Sequence, residues 1–570
     1  MSVQENVIRP TANFPPSVWG DQFLTYDERE DQAGLEKVVE DLKDKLRQEI
    51  LGTLNVPTQH TNLLRLIDSI QRLGIAYHFE EEVDRTLHHF YDTYGDNWTG
   101  GATSIWFRVM RQQGFFVSSD VFKSYKDKNG AFKEPLENDV AGLLELYEAT
   151  YLRVPGEVIL DDALAFTKAR LDDISNDPLW RNSIVSTQII EALKQPMHKR
   201  VPRLEALRYI AFYQQQASCN ESLLKLAKLD FNLLQSLHKK ELSQVYKWWK
   251  GFEVPTNLAY ARNRMVECYF WSLSVFFEPK YSQSRMFLAK VISVATILDD
   301  TYDAYGIYEE LEIFTAALHR YTMRTCHPLV SFQFRRLPIK KLFRWSVTCL
   351  DALPEKYKLV YRMLLSLYED MEKILTKMGK AHHLNYIREA MMEYIGCYLK
   401  EAKWANEEYI PTMEEHKEVT TVSSGYKFTL IASFAAMGDV ITDETFKWAL
   451  TMPPLAKACC VLCRVMDDIV THKEEQERKH VASGIQCYMK EFDVTEQHVY
   501  NVFNTKVEHA WVEMNEESLK CKDVKLPIIM RVINLARAMD VLYKNKDHYT
   551  HVGPELINHI KSLVVDPIMA

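Results

Sequence analysis

The stretch ATILDDTYDAYG, residues 295–306, places three carboxylates within five positions at the end of an apolar run, VISVATIL. In a helix, Asp299 and Asp303 lie four residues apart on one face, whereas Asp300 is turned by about 100° from Asp299. Oxygen ligands of this kind suit Mg²⁺, which binds through one or two carboxylates plus substrate phosphates. The pattern predicts Asp299 and Asp303 as ligands and Asp300 as a support for them. An acidic, solvated helix end remains the alternative, because LDDAL and LDDISND have a similar composition.

A second group of candidate ligands lies in CRVMDDIVTHKEEQERKH, where Asp467, Thr471 and Glu475 follow one another at steps of four. That spacing keeps them within about 80° of one helix face. They span about 12 Å along the axis, but helical side chains lean toward the N-terminus, so the longer Glu475 can reach back. The three residues therefore predict a second site for a hard cation. Arg464, one turn earlier, is placed to meet an anion held by that metal.

Positive charge that could bind an anion also occurs in AYARNRMVECYFW, which contains Arg262 and Arg264. Residues two apart point to different sides of a regular helix, so both arginines serve one site only where the backbone is irregular or the side chains curl round. An ordinary surface pair is the alternative.

The elements that carry these groups are predicted to be helices. Leucine and isoleucine recur at spacings of three and four in NLLRLIDSIQRLG, and FEEEVDRTLHHFYDTY combines one apolar face with an acidic first turn. Alternating strand patterns are scarce. The expectation is an all-α protein, and a length of 570 residues predicts more than one domain.

Composition excludes several classes of function. The net charge is −9 and no stripe of lysine and arginine alternates with aromatic residues, so we expect no nucleic-acid partner. No apolar run reaches the length of about 18 residues that a membrane span needs. The ten cysteines lack paired spacings, and Cys460 and Cys463 form a lone CxxC that is predicted to pack in the core rather than bind zinc. With no signal or transit segment recognised in MSVQENVIRPTANFPPSVWG, the predicted compartment is the cytoplasm.

Taken together and in this order, the motifs resemble those of the plant class I terpene synthases, and most closely the sesquiterpene cyclases. The matching stretches are RP followed by eight residues and then Trp19, ARNRMVECYFW, ILDDTYDAYG, EAKWANEEYIPTMEEH, VSSGY, LCRVMDDIVTHK and NLARAMDVLY. The resemblance implies two helical domains: an N-terminal α-barrel-like domain, residues 1–225, and a C-terminal class I terpenoid cyclase bundle, residues 226–570. The first should be catalytically silent, because the DxDD motif of protonation-initiated cyclases is reduced to Asp161 and Asp162 after Ile159 and Leu160.

The resemblance also implies a role for each candidate. Asp299 and Asp303 would hold two Mg²⁺ ions and Asp467, Thr471 and Glu475 a third, with Mn²⁺ as an alternative metal. The diphosphate of the substrate would be bound by Arg262, Arg264 and Arg464, and the metal ligands Asp299, Asp303 and Asp467 would contact it through the ions. Aromatic residues lining the pocket would be Trp271, Tyr543 and Tyr549, and Asp547 would lie in a loop closing the mouth. Core packing is the alternative for the three aromatic residues.

Three further stretches bear on the resemblance. VSSGY, residues 422–426, falls where the family breaks a long helix. Arg9 and Trp19 match the segment that folds back over the site, and Pro10 replaces a second arginine of many plastid members, which favours cytosolic farnesyl diphosphate. Lys417, Glu418 and Lys427 put charge into stretches that are usually more apolar, which leaves the pocket shape open.

The prediction is a Mg²⁺-dependent sesquiterpene synthase, a carbon–oxygen lyase that converts farnesyl diphosphate to a cyclic hydrocarbon or alcohol plus diphosphate, acting as a monomer. The alternatives are a terpene synthase that uses geranyl or geranylgeranyl diphosphate, a chain-elongating prenyltransferase, and a non-catalytic helical scaffold with a structural ion. The Asp-Thr-Glu order of the second motif argues against the prenyltransferase, which needs a second Asp-rich motif. Product identity depends on the contour of the pocket and is not predicted.

Overall fold

The computed structural model describes residues 9, 12–26, 32–180, 183–323, 353–478 and 480–569. Pro10 lies outside this part of the chain. Within it the regular elements are α-helices and short 3₁₀-helices, and the only bridge of β type joins Lys126 to Phe132. The predicted all-α class is confirmed.

The first nine helices form the N-terminal part of the molecule. They are α1 (Gln32–Thr53), α2 (His60–Arg72), α3 (Glu80–Tyr94), α4 (Thr103–Gln112), α5 (Glu134–Glu137), α6 (Val140–Thr150), α7 (Val158–Asn176), α8 (Ile184–Lys194) and α9 (Pro202–Tyr213). The 3₁₀-helices between them are Pro57–Gln59, Ala76–His78, Ser119–Tyr125, Pro178–Trp180 and Met197–Lys199.

The remaining helices of the described residues form the C-terminal bundle. They are α10 (Glu221–Lys250), α11 (Val254–Asn257), α12 (Met265–Val275), α13 (Ser282–Asp303), α14 (Tyr308–Met323), α15 (Glu355–Lys377), α16 (His383–Asn406), α17 (Met413–Ser423), α18 (Tyr426–Phe434), α19 (Asp443–Leu450), α20 (Pro454–Glu477), α21 (Gly484–Phe492), α22 (Glu496–Lys520), α23 (Leu526–Tyr543) and α24 (Pro554–Val564). The 3₁₀-helices here are Pro279–Tyr281 and Gly438–Val440.

Helix α13 lies at the centre of the bundle because its stretch VISVATIL carries no charged residue on any face. Residues 291–298 are all buried, and the helix packs between α12, α16 and α18. Such a helix is stable only inside a larger core. Asp299 and Asp303 therefore lie at the C-terminal end of a helix that is held in place by packing on all sides.

Helix α10 begins at Glu221, after Asn220 accepts a hydrogen bond from the backbone of Leu223 as its N-cap. The predicted domain boundary at residues 225 and 226 thus falls inside α10. One hydrophobic core extends from Trp19 to Val564 through both parts of the molecule.

The break predicted in VSSGY lies between α17 and α18. Gly425 has φ +79°, a left-handed conformation that a residue with a Cβ adopts only with strain, and a Cβ there would approach the Tyr394 ring to 3.3 Å. The break turns the chain directly beside α16 and exposes the end of α17 to the polar cavity described below.

Among the described helices no single one is long and apolar enough to cross a membrane; one bent pair, α19 with α20, meets the length and composition criteria jointly at an angle of 52°.

Candidate active site

Helices α13 and α20 direct their acidic residues into one polar cavity of about 140 Å³. Eight of the residues singled out in the sequence line it: Arg262, Asp299, Asp303, Arg464, Asp467, Thr471, Glu475 and Asp547. The two carboxylate motifs are separated by more than 160 residues in the chain, and the fold brings them to opposite walls of a single space.

Arg262 is anchored by the buried Asp300. The Arg262 backbone N–H donates to Asp300 Oδ2 at 2.6 Å and its Nε donates to Oδ1 at 2.9 Å. The same guanidinium forms an ion pair with Asp299, which also accepts a hydrogen bond from Tyr398. Asp300 is completely buried, and both of its oxygens face Arg262. In the structure Asp300 therefore orients Arg262, and its predicted support of the metal ligands stays a prediction.

The second motif repeats this arrangement. Arg464 pairs with Asp467 and, at 2.9 Å, with Asp468, which is almost fully buried. A Cβ on Gly484 would lie 2.5 Å from Asp468 Oδ2, so only glycine leaves room for that carboxylate. In each motif a buried aspartate holds an arginine against a neighbouring aspartate that lines the cavity.

His480 joins the two motifs across the cavity. Its Nε2 lies 3.1 Å from Asp303 Oδ2, and its Nδ1 lies 4.0 Å from Glu475 Oε2. Burial opposes the charged imidazole, but the carboxylates of Glu475 and Asp303 outweigh it and raise the pKa of His480 to about 10. Burial likewise opposes ionisation of Asp303, yet the hydrogen bond from His480 holds the pKa of that carboxyl below its ordinary value.

The residues present fit a divalent metal. One oxygen from each of Asp299, Asp300 and Asp303 lies within 4.8 Å of the others, and Asp303 Oδ1 is buried without a hydrogen-bond partner. Burial raises the pKa of Asp467 to about 8, and burial also raises that of Asp299, with the nearby Asp303 adding to it. Carboxylates that are costly to ionise without a counter-charge, and whose oxygens are hard ligands, are suited to Mg²⁺.

Arg264 is placed differently from the other two arginines. Its guanidinium is almost fully buried and donates to the carbonyl oxygens of Pro15, Tyr549 and Thr550 at 2.7–2.9 Å. It does not line the cavity. In this conformation Arg264 joins the N-terminal segment to the loop after α23, and its predicted contact with a diphosphate stays a prediction.

The predicted aromatic residues form a cluster behind Arg262. The ring of Trp271 lies 5.5 Å from that of Tyr549, 6.4 Å from that of Tyr543 and 6.0 Å from that of Tyr426. The Tyr549 hydroxyl lies 2.6 Å from Thr296 Oγ1, one turn before Asp299 on α13. An aromatic surface thus adjoins the acidic cavity.

Asp547 stabilises the loop that follows α23. Its Oδ1 accepts hydrogen bonds from the backbone N–H groups of Tyr549 and Thr550, at 2.9 and 2.8 Å. The loop therefore holds Tyr549 against α13 while Asp547 itself lines the cavity.

Several residues lining the cavity were missed from the sequence, among them Phe14, Tyr398, Glu401, Arg478 and His480. Glu401 lies one turn after Tyr398 on α16 and accepts a hydrogen bond from Ser423, beside the helix break. Periodicity could have placed Glu401 and Tyr398 on one face of a helix, but nothing local shows that this face meets Asp299.

Phe14 lies between two guanidiniums. The Cζ atom of Arg262 is 5.1 Å from the centre of its ring and that of Arg478 is 5.4 Å from it. Nearby, Arg9 forms a bidentate ion pair with Glu310, at 2.7 and 2.8 Å, and the Trp19 indole donates to Glu267 at 2.7 Å. The N-terminal segment is thereby fastened over the cavity at three points.

The unexpected charges lie outside the cavity. Lys427 is buried, but its ammonium forms an ion pair with Glu393 on α16 at 2.6 Å. Lys417 and Glu418 are exposed on α17. None of the three lines the cavity between the two motifs.

Comparisons with known proteins agree with this geometry. Residues 250–513 match the model of the terpene synthase family, metal binding domain, and residues 18–193 match that of the terpene synthase, N-terminal domain. The chain is 87% identical to an α-isocomene synthase of Matricaria chamomilla var. recutita over 570 residues, 100% of both chains. It is 53% identical to a sesquiterpene synthase of Xanthium strumarium, covering 99% of each.

A solved structure has the same fold. The isoprene synthase from grey poplar leaves, in complex with three Mg²⁺ ions and dimethylallyl-S-thiolodiphosphate, superposes with a TM-score of 0.82 at 30% identity. The match covers 94% of this chain and 98% of that one.

Proposed function

Because this chain belongs to the terpene synthase family, we propose that it is a Mg²⁺-dependent sesquiterpene synthase that ionises and cyclises farnesyl diphosphate, with α-isocomene as its product. The observation that carries the proposal is the pair of carboxylate motifs facing each other across one cavity, with Arg262 and Arg464 beside them. The product is proposed from the relative that shares 87% of the residues over the whole length.

The residues at the mouth bind and orient the diphosphate. When bound, Mg²⁺ would supply positive charge that neutralises the departing diphosphate. The residues that would hold it are Asp299, Asp303, Asp467, Thr471 and Glu475. Three ions are proposed, the number seen in the grey poplar enzyme.

The arginines complete the binding of the diphosphate. When the substrate binds, Arg262 releases Asp299 and Arg464 releases Asp467. Each guanidinium then donates to an oxygen of the diphosphate instead. Each keeps its buried partner, Asp300 or Asp468, and so stays oriented. Preorganised donors of this kind stabilise charge that develops in the transition state.

The chemistry then proceeds without a protein nucleophile. The carbon–oxygen bond of the allylic diphosphate breaks and its electron pair leaves with the diphosphate, so a C15 carbocation forms. The π faces of Trp271, Tyr543 and Tyr549 stabilise that cation without reacting with it. Closure of the N-terminal segment and the loop after α23 keeps water out. The last cation therefore gives up a proton to the departed diphosphate, and a hydrocarbon is released.

The proposal also covers the domains, the oligomeric state and the compartment of the protein. Residues 1–225 form the silent N-terminal domain and residues 226–570 the catalytic domain. Since the cavity takes all its residues from one chain, a monomer suffices for the reaction. The free thiols of the described cysteines, Cys459 and Cys460 among them, fit a reducing compartment such as the cytosol.

The test is incubation of the purified protein with C10, C15 and C20 prenyl diphosphates and Mg²⁺, followed by gas chromatography with mass spectrometry. We expect turnover of farnesyl diphosphate to α-isocomene, complete loss of activity with a chelator, and recovery with Mg²⁺ or Mn²⁺. Activity that a chelator leaves unchanged contradicts the mechanism. Consumption of added isopentenyl diphosphate, with a longer diphosphate as the product, would show a prenyltransferase instead.

A further inference from the structure

Two histidines and an aspartate meet far from the active site. His382 is the N-cap of α16, His383 is the first residue of that helix, and Asp443 is the first residue of α19. One ligand atom from each of the three lies within 4.8 Å of the others. His383 precedes Tyr398 by fifteen residues along α16, which places the cluster about 22 Å from the Mg²⁺ ligands.

The contact between His382 and Asp443 is not an ordinary hydrogen bond. Nε2 of His382 lies 3.2 Å from Oδ1 of Asp443, yet this buried oxygen has no hydrogen-bond partner. Two ligands of a tetrahedral zinc ion, with bonds of about 2.0–2.2 Å, are separated by about 3.3–3.6 Å. The two atoms therefore lie close to the spacing that a shared metal would impose.

His383 has the tautomer that a ligand needs. It is almost fully buried, and its Nδ1 lies 3.3 Å from the carbonyl oxygen of Ala435. A carbonyl can only accept, so Nδ1 carries the proton and Nε2 keeps its lone pair. Metal-binding imidazoles are oriented in this way, by donating their other N–H to a backbone carbonyl or a carboxylate.

Two neighbouring groups bear on the charge of the cluster. Burial raises the pKa of the Tyr386 hydroxyl, and the Asp443 carboxylate acts on that hydroxyl and adds to the rise. Lys380, whose charge acts on His383, donates to the Gly438 carbonyl and pairs with Asp439 at 3.1 Å. Its charge is therefore balanced by a carboxylate outside the cluster.

From this geometry we propose that His382, His383 and Asp443 form a site for one zinc-like transition-metal ion, separate from the Mg²⁺ site. Imidazole nitrogens suit zinc, cobalt and nickel, whereas Mg²⁺ prefers oxygen. The site lies at the N-termini of α16 and α19, whose partial positive charge opposes any cation, so the bonds to the imidazole nitrogens and the Asp443 carboxylate have to outweigh it. The bound ion joins the start of α16 to the start of α19, and one coordination position is left for water.

The test uses untagged, metal-free protein in excess Mg²⁺, which fills the oxygen sites. Zinc is titrated against a chromophoric indicator, and Co²⁺ is added separately to record its visible spectrum. We expect one equivalent of zinc in the wild type and the strong absorption of tetrahedral Co²⁺ with nitrogen ligands. His382→Asn and Asp443→Asn should each weaken zinc binding at least tenfold.

The matched control is His88→Ala, which removes an exposed histidine that pairs with a carboxylate, Asp84 at 3.4 Å, but has no second imidazole in the group. It should leave zinc binding unchanged. Because the His382 side chain is about half exposed (54%), its replacement should not disturb folding, and metal-free melting curves verify this. Equal zinc binding in wild type and His382→Asn, or only the weak spectrum of octahedral Co²⁺, overturns the proposal.

Discussion

Replacing Asp300 by asparagine separates two proposed roles of the first acidic motif, which are to orient Arg262 and to bind Mg²⁺. In the structure both Asp300 oxygens accept from Arg262, whereas Asp299 faces the cavity. Asp300→Asn keeps the shape but removes the charge, and the new amide turns an NH₂ group toward one of the Arg262 donors. We therefore expect Arg262 to lose its fixed orientation while the metal ligands remain.

The magnitude follows from the contacts. A hydrogen bond to a charged group contributes about 1.5–3 kcal/mol, so weakening the Nε and Nη2 contacts, at 2.9 and 2.8 Å, should cost about 2–3 kcal/mol. At about 1.36 kcal/mol for each factor of ten, kcat/KM for farnesyl diphosphate should fall by about 30- to 160-fold. The Mg²⁺ concentration for half-maximal rate should change less than about twofold.

The comparison variant is Asp299→Asn, which removes a proposed ligand and should raise the Mg²⁺ requirement at least tenfold. Steady-state rates are measured over a matrix of substrate and Mg²⁺ concentrations for both variants. Melting curves verify that Asp300→Asn is folded at the assay temperature, since a fully buried charge is being lost.

A double-mutant cycle of Asp300→Asn with Arg262→Lys tests whether Asp300 affects kcat/KM through Arg262. If Asp300 acts through Arg262, the two losses should be far from additive. The reasoning is refuted if Asp300→Asn shifts the Mg²⁺ requirement as much as Asp299→Asn does, because Asp300 would then be a ligand.

Three further outcomes are expected. Phe14→Ala, which removes the ring between two guanidiniums, should open the mouth of the cavity and raise the share of water-quenched alcohols among the products; Val18→Ala, at an exposed site of the same segment (52%), should not, and an equal rise in both would contradict a sealing role. Tyr398→Phe removes the hydroxyl that donates to Asp299 and should lower kcat by about two- to thirtyfold, for a bond of about 0.5–2 kcal/mol, in initial-rate assays at saturating Mg²⁺. An unchanged kcat would mean that this bond breaks before the chemical step. The pKa of Asp467 is raised to about 8 in the folded protein, so the metal-free fold binds a proton more tightly than the unfolded chain, and its melting temperature should fall between pH 6.5 and 8. The fall should be smaller in Asp467→Asn and in wild type with Mg²⁺ and pyrophosphate, and a parallel fall in all three would exclude Asp467 as its cause.

Much of this protein follows from sequence because its signals are local. Helical periodicity and the scarcity of alternating patterns predict the all-α class, and steps of four place Asp299 with Asp303 and Asp467 with Glu475. The rotation of Asp300 by about 100° predicts its supporting position. The order of the motifs along the chain identifies the family, since each motif keeps its own spacing whatever the rest of the molecule does.

Contacts between distant segments required the tertiary structure. The contact of His480 with Asp303 joins residues 177 positions apart, and Arg9 reaches Glu310 across 301. Arg264 was grouped with Arg262 by sequence, yet its guanidinium holds the N-terminal segment and the loop after α23.

The cluster of His382, His383 and Asp443 could not be predicted from the sequence for the same reason. Nothing in the sequence relates a histidine pair at the start of α16 to an aspartate at the start of α19. Helical spacing determines which face of its own helix a side chain occupies, and for that reason the sequence alone determined which side chains of each motif share a face. Which faces meet depends on how all the helices pack at once, and for that reason only the tertiary structure decided what lies across each cavity and cluster.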